Sequence, residues 1–247
     1  MSFEGKAAIV TGGGSGIGRA ICQRLARDGA RVAAADVNGD AAQSVAGEIG
    51  GLGVQVDVAS EAAVTAMVEQ AVARFGRLDF LVNCAGNAAF APVAELSLAD
   101  WQAVLDVHLT GAFLCSRAAI DHLLASKGRI VSISSNYGFK GRAGGANYSA
   151  AKAGIVALTK VLAHELAPDV TVNAVAPGPT DTPRWRRSME DGGAGFEAKR
   201  AQRVKDIPLG RLGEPDDIAG AVAFLLGDDA KWITGSVVHV NGGEFML

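Results

Sequence analysis

The sequence predicts an α/β fold in which a parallel β-sheet is covered by helices on both faces. Short aliphatic runs alternate along the chain with longer amphipathic stretches of helical length. Right-handed connections between such strands place the helices on both sides of one sheet. The 247 residues are 49% hydrophobic and contain no Pro- or Ser-rich linker, so we expect one domain over residues 1–247.

The elements follow in order along the chain. Seven aliphatic runs have the length and composition of buried strands: 7–10, 31–36, 52–56, 78–83, 128–134, 170–175 and 236–240. The sequence predicts helices over the stretches RAICQRLARDG and VTAMVEQAVARFG. Gly29 and Gly76 lie at the expected C-cap positions of these two helices. Ser97 begins a further helix through Trp101 and His108, and AKAGIVALTKVLAHELA forms another. The Pro- and Gly-rich region after residue 177 predicts a lid at about 183–213.

Composition and charge exclude several classes of protein. The net charge is -3, which gives no electrostatic case for binding nucleic acid. No run approaches the roughly 18 apolar residues of a membrane span, and the N-terminus has no signal-peptide pattern. Three widely spaced cysteines predict reduced thiols and neither a disulfide framework nor a metal site. We therefore expect a cytoplasmic protein that binds a small molecule, with no metal, membrane or nucleic-acid partner.

A glycine-rich segment, TGGGSGIG, joins the first strand to the first helix. Such a loop turns tightly and presents the free N–H groups of a helix N-terminus to a phosphate. We assign Gly12, Ser15, Gly16, Ile17 and Gly18 to this cofactor-binding loop. Asp36 ends the second strand, where a carboxylate accepts hydrogen bonds from ribose hydroxyls and repels the extra phosphate of NADP. The sequence therefore predicts NAD in preference to NADP.

A second motif, NYSAAKAG, places Tyr148 and Lys152 four residues apart. Residues at this spacing share one face of a helix, so the ammonium group is expected near the phenol. A neighbouring positive charge favours the phenolate and suits the tyrosine to proton transfer. Ser135, at the end of a strand and 13 residues before Tyr148, is a candidate to hydrogen-bond the substrate oxygen.

Taken together, TGGGSGIG, NCAG (83–86), ISS (133–135) and YSAAK (148–152) make the chain resemble the classical short-chain dehydrogenase/reductase family. The resemblance spans essentially the whole chain. It implies a single-domain Rossmann fold with a doubly wound, seven-stranded parallel sheet, usually assembled as a homotetramer or homodimer. It also implies Tyr148 as general acid/base, Lys152 as its partner on the nicotinamide ribose, and Ser135 as the residue that orients the substrate.

The resemblance extends the expected cofactor site. Asp57 and Val58 would contact the adenine, and Thr182 would meet the nicotinamide carboxamide. The remaining expected contacts are Asn83, Ala85, Gly86, Pro177, Gly178 and Thr180. The implied reaction is hydride transfer between nicotinamide and a secondary alcohol or ketone, in which the protein supplies positioning and proton transfer.

His108 departs from the family pattern, which commonly has an asparagine in an N-x-x-G sequence at this place. Three interpretations remain open. In the first, a local break in the helix frees the His108 carbonyl to hold a relay water. In the second, the imidazole itself joins the proton relay, since histidine titrates near neutral pH. In the third, the site is weakened and the protein is a cofactor-binding regulatory protein.

The segment 184–206 holds seven basic and four acidic residues. One interpretation is a site for an anionic substrate; the other is a solvated lid helix. The candidate substrate residues are Lys140, Arg142, Arg184, Trp185 and Arg187, and Met189 and Phe196 would add an apolar wall. The leading functional hypothesis is an NAD-dependent secondary-alcohol dehydrogenase or ketoreductase. The enzymatic alternative is a 3-ketoacyl-thioester reductase, which in this family usually prefers NADP, against the indication of Asp36.

Overall fold

The computed structural model describes residues 2–190 and 195–246, without the side chains of 188–190. These residues form a seven-stranded, all-parallel sheet with the order β3-β2-β1-β4-β5-β6-β7. The strands are β1 Ala7–Thr11, β2 Arg31–Asp36, β3 Leu52–Gln55, β4 Phe80–Asn83, β5 Arg129–Ile133, β6 Thr171–Pro177 and β7 Val237–Val240. The strand order reverses direction between β1 and β4, which is where ligands bind in open α/β sheets.

The helices connect successive strands and cover both faces of the sheet. They are α1 Gly16–Arg27, α2 Gly39–Ile49, α3 Glu61–Phe75, α4 Leu98–Leu105, α5 Gly111–Ser126, α6 Tyr137–Lys140, α7 Ala146–Leu166, α8 Pro183–Glu190, α9 Phe196–Lys205 and α10 Pro215–Leu226. Between α4 and α5 the chain makes a π-helical turn over Asp106–Thr110. A short 3₁₀ helix, Asp228–Ala230, precedes β7.

The core consists of two apolar layers, one on each face of the sheet. Alternate residues of β1 point to opposite faces, so Ala7 and Ile9 join one layer whereas Ala8 and Val10 join the other. Helices α3, α5 and α7 contribute to the first layer, and α1 and α10 to the second. Because helices cover both faces of the sheet, side chains on both sides of each strand are buried. The strand sequences are therefore continuous aliphatic runs.

One continuous helical segment of the described chain, Leu98–Ser126, is long and apolar enough by length and composition to cross a membrane. It comprises α4, the π-helical turn and α5. Leu114, Cys115, Ala119 and Leu123 of α5 are buried in the first apolar layer. The apolar composition therefore reflects packing of the segment against the sheet.

The predicted architecture is confirmed: all seven strands form where the aliphatic runs predicted them, in one doubly wound parallel sheet. Gly29 and Gly76 adopt positive φ at the ends of α1 and α3. The Ser97 hydroxyl accepts a hydrogen bond from the Asp100 amide at the start of α4. The predicted lid region differs in detail, because within it the described residues form the two short helices α8 and α9.

Candidate active site

A cleft with a volume of about 760 Å³ opens at the carboxyl ends of the strands and spans the switch between β1 and β4. Its lining brings together most of the residues assigned from the sequence: Gly12, Ser15, Gly16, Ile17, Gly18, Asp36, Asp57, Val58, Ala85, Gly86, His108, Ser135, Tyr148, Lys152, Pro177, Gly178, Thr180 and Thr182. The same cleft is lined by Arg142, Arg184, Trp185 and Arg187. Residues from widely separated segments of the chain thus meet in one cavity.

The glycine-rich loop is packed too closely for side chains at two of its positions. A Cβ on Gly12 would lie 2.9 Å from the Ala85 Cα, and one on Gly18 would lie 2.0 Å from the Gly12 carbonyl oxygen. The Thr11 hydroxyl accepts hydrogen bonds from the amides of Cys84 and Ala85, at 3.1 and 3.2 Å. The loop and the NCAG turn after β4 therefore form one rigid backbone cradle beside the start of α1.

Asp36 lies at the carboxyl end of β2 and faces this cradle. Its two carboxylate oxygens accept hydrogen bonds from the amides of Gly14 and Asn38, each at 3.0 Å. Among the described residues, those that line the cleft after β2 and β3 are Asp36, Val37, Val56, Asp57 and Val58, none of them basic. This end of the cleft fits a ribose with free hydroxyls better than one that carries a phosphate.

Ser135, Tyr148 and Lys152 converge at the other end of the cleft. The Ser135 hydroxyl is buried and accepts a hydrogen bond from the Tyr137 amide at 3.2 Å. Tyr148 and Lys152 share one face of α7, with the Lys152 Nζ 5.7 Å from the centre of the Tyr148 ring. The Lys152 ammonium donates to the Ile133 carbonyl at 2.6 Å, at the end of β5. The side chains named from the two sequence motifs therefore lie together on α7 and at the end of β5.

Lys152 is buried, and this changes its acidity. Burial, together with the positive charge of Arg184, lowers the pKa of the Lys152 ammonium to about 7. The helix that carries Lys152 is held against the sheet, because the Ser134 hydroxyl donates to the Lys152 carbonyl at 2.9 Å. The position of the amine is therefore well determined, and its charge responds to pH near neutrality.

His108 lies in the π-helical turn and is 2% exposed. The Nε2 atom is 2.8 Å from the Asn87 carbonyl oxygen and 3.2 Å from the Asn87 amide nitrogen. The ring packs edge-on against Tyr148, with centroids 5.3 Å apart, and a Cβ on Gly86 would lie 2.4 Å from its Cε1. The helical irregularity required by the first interpretation of His108 is present in the structure.

The environment of the imidazole opposes its protonation. Burial lowers the pKa of His108 well below its ordinary value, and the nearby positive charge of Lys152 acts in the same direction. The hydrogen bond to Asn87 opposes this shift without overcoming it. The second interpretation, in which the ring joins the relay, would therefore rely on a neutral imidazole.

Two assigned residues do not line the cleft. Asn83 lies one layer deeper, because its amide nitrogen donates to the hydroxyls of Ser116 and Ser132, each at 3.2 Å. It faces a separate cavity of about 10 Å³. Lys140, expected to bind substrate, is not among the cleft-lining residues and donates to Glu244 at 2.7 Å.

The other basic candidates lie at the end of the cleft that holds Ser135, Tyr148 and Lys152, called the catalytic end below. Arg142 stacks 4.0 Å from the centre of the Phe90 ring and 5.5 Å from that of Tyr137. Arg184 is close enough to Lys152 to influence its protonation. Trp185 packs against Phe196 with ring centroids 5.9 Å apart, which joins α8 to α9. The side chain of Met189 lies outside the described residues.

The cleft is also lined by residues that were not assigned to it from the sequence, among them Phe90, Tyr137, Arg203 and Glu244. Arg203 belongs to the charged segment 184–206, which is a partial signal for its place in the site. Glu244 follows β7 near the end of the chain, and nothing in its local sequence marks it. It reaches the site only through the tertiary fold.

Comparisons with known proteins agree with this geometry. A family model described as enoyl-(acyl carrier protein) reductase matches residues 12–244. The 3-oxoacyl-(acyl-carrier-protein) reductase FabG of Escherichia coli K12 is 39% identical over 251 residues, which cover 100% of both chains. The corresponding protein of Aquifex aeolicus VF5 is 41% identical over 254 residues, covering 99% of each.

Two other relatives carry different descriptions. The (2S)-((R)-hydroxy(phenyl)methyl)succinyl-CoA dehydrogenase subunit BbsD of Thauera aromatica is 39% identical over 254 residues, which cover 100% of this chain and 99% of its own. A crystal structure described as ribose-5-phosphate isomerase from Brucella melitensis 16M has a TM-score of 0.91 at 39% identity, and the match covers 98% of this chain and 93% of that one.

Proposed function

The chain belongs to the short-chain dehydrogenase/reductase family and is an oxidoreductase, and from this premise we propose that it transfers a hydride between NAD and a secondary alcohol or ketone. The observation that carries the proposal is the convergence of Ser135, Tyr148 and Lys152 at one end of a cleft whose other end holds the glycine-rich loop and Asp36.

The preference for NAD rests on the ribose end of the cleft. The Asp36 carboxylate accepts hydrogen bonds from Gly14 and Asn38, and each of its oxygens retains a lone pair for a ribose hydroxyl. A phosphate at the same place would meet this negative charge without a compensating cation from the residues after β2 and β3. Gly12, Gly16 and Gly18 would hold the pyrophosphate at the N-terminus of α1.

The proposed proton transfer uses the catalytic end of the cleft. Bound NAD supplies a hydride acceptor, or NADH a hydride donor, at the nicotinamide ring. Ser135 donates a hydrogen bond to the substrate oxygen and orients it. Tyr148 takes the hydroxyl proton during oxidation and returns it during reduction. Lys152, when protonated, stabilises the Tyr148 phenolate, and the His108 carbonyl in the π-helical turn holds the water that relays the proton onward.

For the substrate we propose a 3-oxoacyl or 3-hydroxyacyl thioester. The names of the reductase and CoA dehydrogenase relatives support this class. The cations on the same side of the cleft, Arg142, Arg184 and Arg187, are suited to the negative groups of such a substrate. Secondary alcohols and ketones are the wider class within which this substrate falls.

The proposal also includes three expectations from the sequence pattern: one domain over residues 1–247, a lid at about 183–213, and a cytoplasmic location. Assembly as a homotetramer or homodimer is the expectation that depends on family resemblance.

The test is a spectrophotometric assay with NADH and NADPH in separate reactions. Acetoacetyl-CoA is the charged substrate and a neutral 3-keto ester is its matched comparison. We expect NADH to be the better cofactor, acetoacetyl-CoA the better substrate, and the advantage of acetoacetyl-CoA to shrink as salt screens its charge. Tyr148→Phe is the blank, and it should bind NADH with unchanged affinity while losing nearly all turnover.

Several outcomes would overturn parts of the proposal separately. Turnover by Tyr148→Phe near the wild-type rate would remove the catalytic assignment. A preference for NADPH would remove the role given to Asp36. Interconversion of ribose 5-phosphate with its ketose without any nicotinamide cofactor would replace the proposed reaction with the one named for the matched crystal structure.

A further inference from the structure

A buried carboxylate from the last residues of the chain lies beside the catalytic end of the cleft. The side chain of Glu244 is 3% exposed and accepts three charged or polar donors. Asn136 donates to Oε2 at 2.8 Å, Lys140 donates to Oε1 at 2.7 Å, and Arg203 forms an ion pair with Oε1. Loss of either cation would leave the buried carboxylate less well compensated, and loss of Asn136 would leave one of its oxygens without a hydrogen bond.

The partners of Glu244 come from two elements that are far apart in the sequence. Asn136 and Lys140 belong to the turn and helix α6 that follow the catalytic Ser135, whereas Arg203 belongs to α9 in the lid. Arg203 also donates to the Tyr137 hydroxyl at 3.0 Å. Glu244 therefore ties the C-terminal segment, the lid and the loop after β5 together at one point.

The same point is connected to the substrate-orienting serine. The Tyr137 amide donates to the Ser135 hydroxyl oxygen at 3.2 Å, and the Asn136 amide donates to the Pro177 carbonyl at 3.1 Å. A displacement of Asn136 or Tyr137 would thus move the Ser135 hydroxyl and the end of β6. Errors of about 1 Å in such positions have large effects on rate.

From these contacts we propose that Glu244 is a positioning residue, which holds α9 closed over the catalytic end and keeps the Ser135–Tyr137 turn in its productive arrangement. It acts through Arg203 and Asn136. This role rests on the proposed function for its kinetic consequences, whereas its consequence for the position of α9 does not depend on any activity.

The charges of the cluster exclude a simpler role in binding anions. Lys140 and Arg203 both compensate Glu244, so their charge is used within the protein. Burial would raise the pKa of Glu244, but the hydrogen bonds from Lys140 and Asn136 and the charge of Arg203 hold that pKa below its usual range. Glu244 thus remains ionised and keeps both cations engaged.

The primary test replaces Glu244 with glutamine. Glu244→Gln preserves the shape of the side chain but replaces one acceptor oxygen with an NH2 group. That NH2 group would face one of the donors that now bind Glu244, and the two donors cannot hydrogen-bond to each other. We expect kcat/KM for acetoacetyl-CoA and for the neutral 3-keto ester to fall by the same factor, roughly tenfold, through a lower kcat and a higher KM. The affinity for NADH, measured by calorimetry, should stay unchanged because the ribose and pyrophosphate contacts lie elsewhere.

A second readout follows the lid directly. Limited trypsin digestion, with the cleavage sites identified by mass spectrometry, should cut α9 several-fold faster in Glu244→Gln than in the wild-type protein. Glu48→Gln is the matched control, since Glu48 is also an acidic partner of an arginine, Arg19, but lies on the exposed surface of α2. It should leave both kcat/KM and the digestion rate unchanged.

Arg203→Met tests the connection from the other side. Because both substitutions remove the same contact, the double variant should be no worse than the poorer single variant. Additive losses, an effect confined to the charged substrate, or unchanged digestion of α9 would each overturn the positioning role. If the wild-type protein reduces neither substrate, the proposed function fails, and the digestion experiment still decides whether Glu244 holds the lid.

Discussion

At the residue scale, His108 shows how burial decides what a titratable group can do. Its ring is enclosed by Gly86, Asn87 and Tyr148, and the low pKa that results keeps it neutral. A neutral ring whose Nε2 is engaged by Asn87 serves to hold the turn after β4 against the π-helical segment. This environment supports our proposal that the backbone of the π-helical turn, and not the titration of the ring, serves the proton relay.

This leads to a prediction for His108→Asn. We expect kcat to change by no more than about twofold and the pH dependence of kcat to keep its shape between pH 5 and 8, because the neutral ring contributes no titration in this range. Measurement of kcat across this range for both proteins checks the expectation. The loss of an ionisation from the profile of the variant would show instead that the imidazole takes part.

Lys152 provides a second prediction at this scale, on stability. Its pKa is about 7 in the folded protein and about 10.5 when exposed, so between these values the unfolded chain binds one more proton than the folded one. The free energy of unfolding of the wild-type protein therefore rises with pH across that window, by about 1.4 kcal/mol per pH unit, as the cost of burying this lysine disappears. Replacement by methionine should stabilise the protein at pH 6–7, with a gain that shrinks toward pH 10.

Urea unfolding of the cofactor-free protein at several pH values measures this difference. Lys160→Met is the control, since it makes the same substitution at an exposed position on the same helix. If the difference in free energy of unfolding between Lys152→Met and the wild-type protein did not vary with pH, the pKa of the Lys152 amine would not be lowered by burial. The increase in the free energy of unfolding predicted for Lys152→Met equals the stability that the wild-type protein loses by burying this lysine.

At the element scale, the crossing of α6 and α7 determines where the catalytic groups lie relative to one another. A Cβ on Gly138 in α6 would lie 2.8 Å from the Lys152 backbone carbon in α7. The two helices approach so closely that only glycine fits between them. Since Ser135 directly precedes α6 and Tyr148 and Lys152 lie on α7, this contact sets the distance between the serine and the other two residues.

We therefore predict that Gly138→Ala lowers kcat by about tenfold or more, because the added methyl group must push α6 and the Ser135 turn away from α7. Steady-state kinetics together with NADH affinity, which should change little, measure the effect. Gly47→Ala is the control: Gly47 lies in α2 with nothing near its Cβ position, so alanine should be neutral or stabilise the helix by up to about 1 kcal/mol. Full activity of Gly138→Ala would contradict the proposed packing constraint.

At the scale of the whole molecule, the cleft draws its lining from both halves of the sheet, on either side of the switch between β1 and β4. A ligand that fills it contacts the glycine-rich loop, the ends of β2 and β3, and the catalytic end together. Such a ligand binds the folded chain and not the unfolded one, so it raises the free energy of unfolding by mass action.

For NAD at a hundred times its dissociation constant, this stabilisation is about 2.7 kcal/mol. In a protein of this size it corresponds to a rise in Tm of roughly 5–10 °C. We predict a smaller rise with NADP at the same concentration, because Asp36 opposes its additional phosphate. Thermal unfolding with each nucleotide checks both statements, and an equal or larger shift with NADP would contradict the role of Asp36.

Much of the fold was predictable because its signals are local. Each strand is a short aliphatic run, and the ends of α1, α3 and α4 carry Gly29, Gly76 and Ser97 where caps are needed. Two placements that differ from the expected cleft lining depend on distant partners. Lys140 was expected to bind substrate, but Glu244, 104 residues away in the sequence, engages it. Asn83 was expected in the cleft, but Ser116 and Ser132 hold its amide in the layer below.

The amino-acid pattern is sufficient to specify the alternation of strands and helices, the glycine-rich loop before α1, the carboxylate at the end of β2, and the four-residue spacing of Tyr148 and Lys152. Each of these depends on backbone geometry within one segment or at one junction. The lowered pKa values of His108 and Lys152, the depth of Asn83, and the contact of Glu244 with Arg203 become visible in the folded structure alone. Those properties depend on burial and on contacts between distant segments, which exist only once the chain has folded.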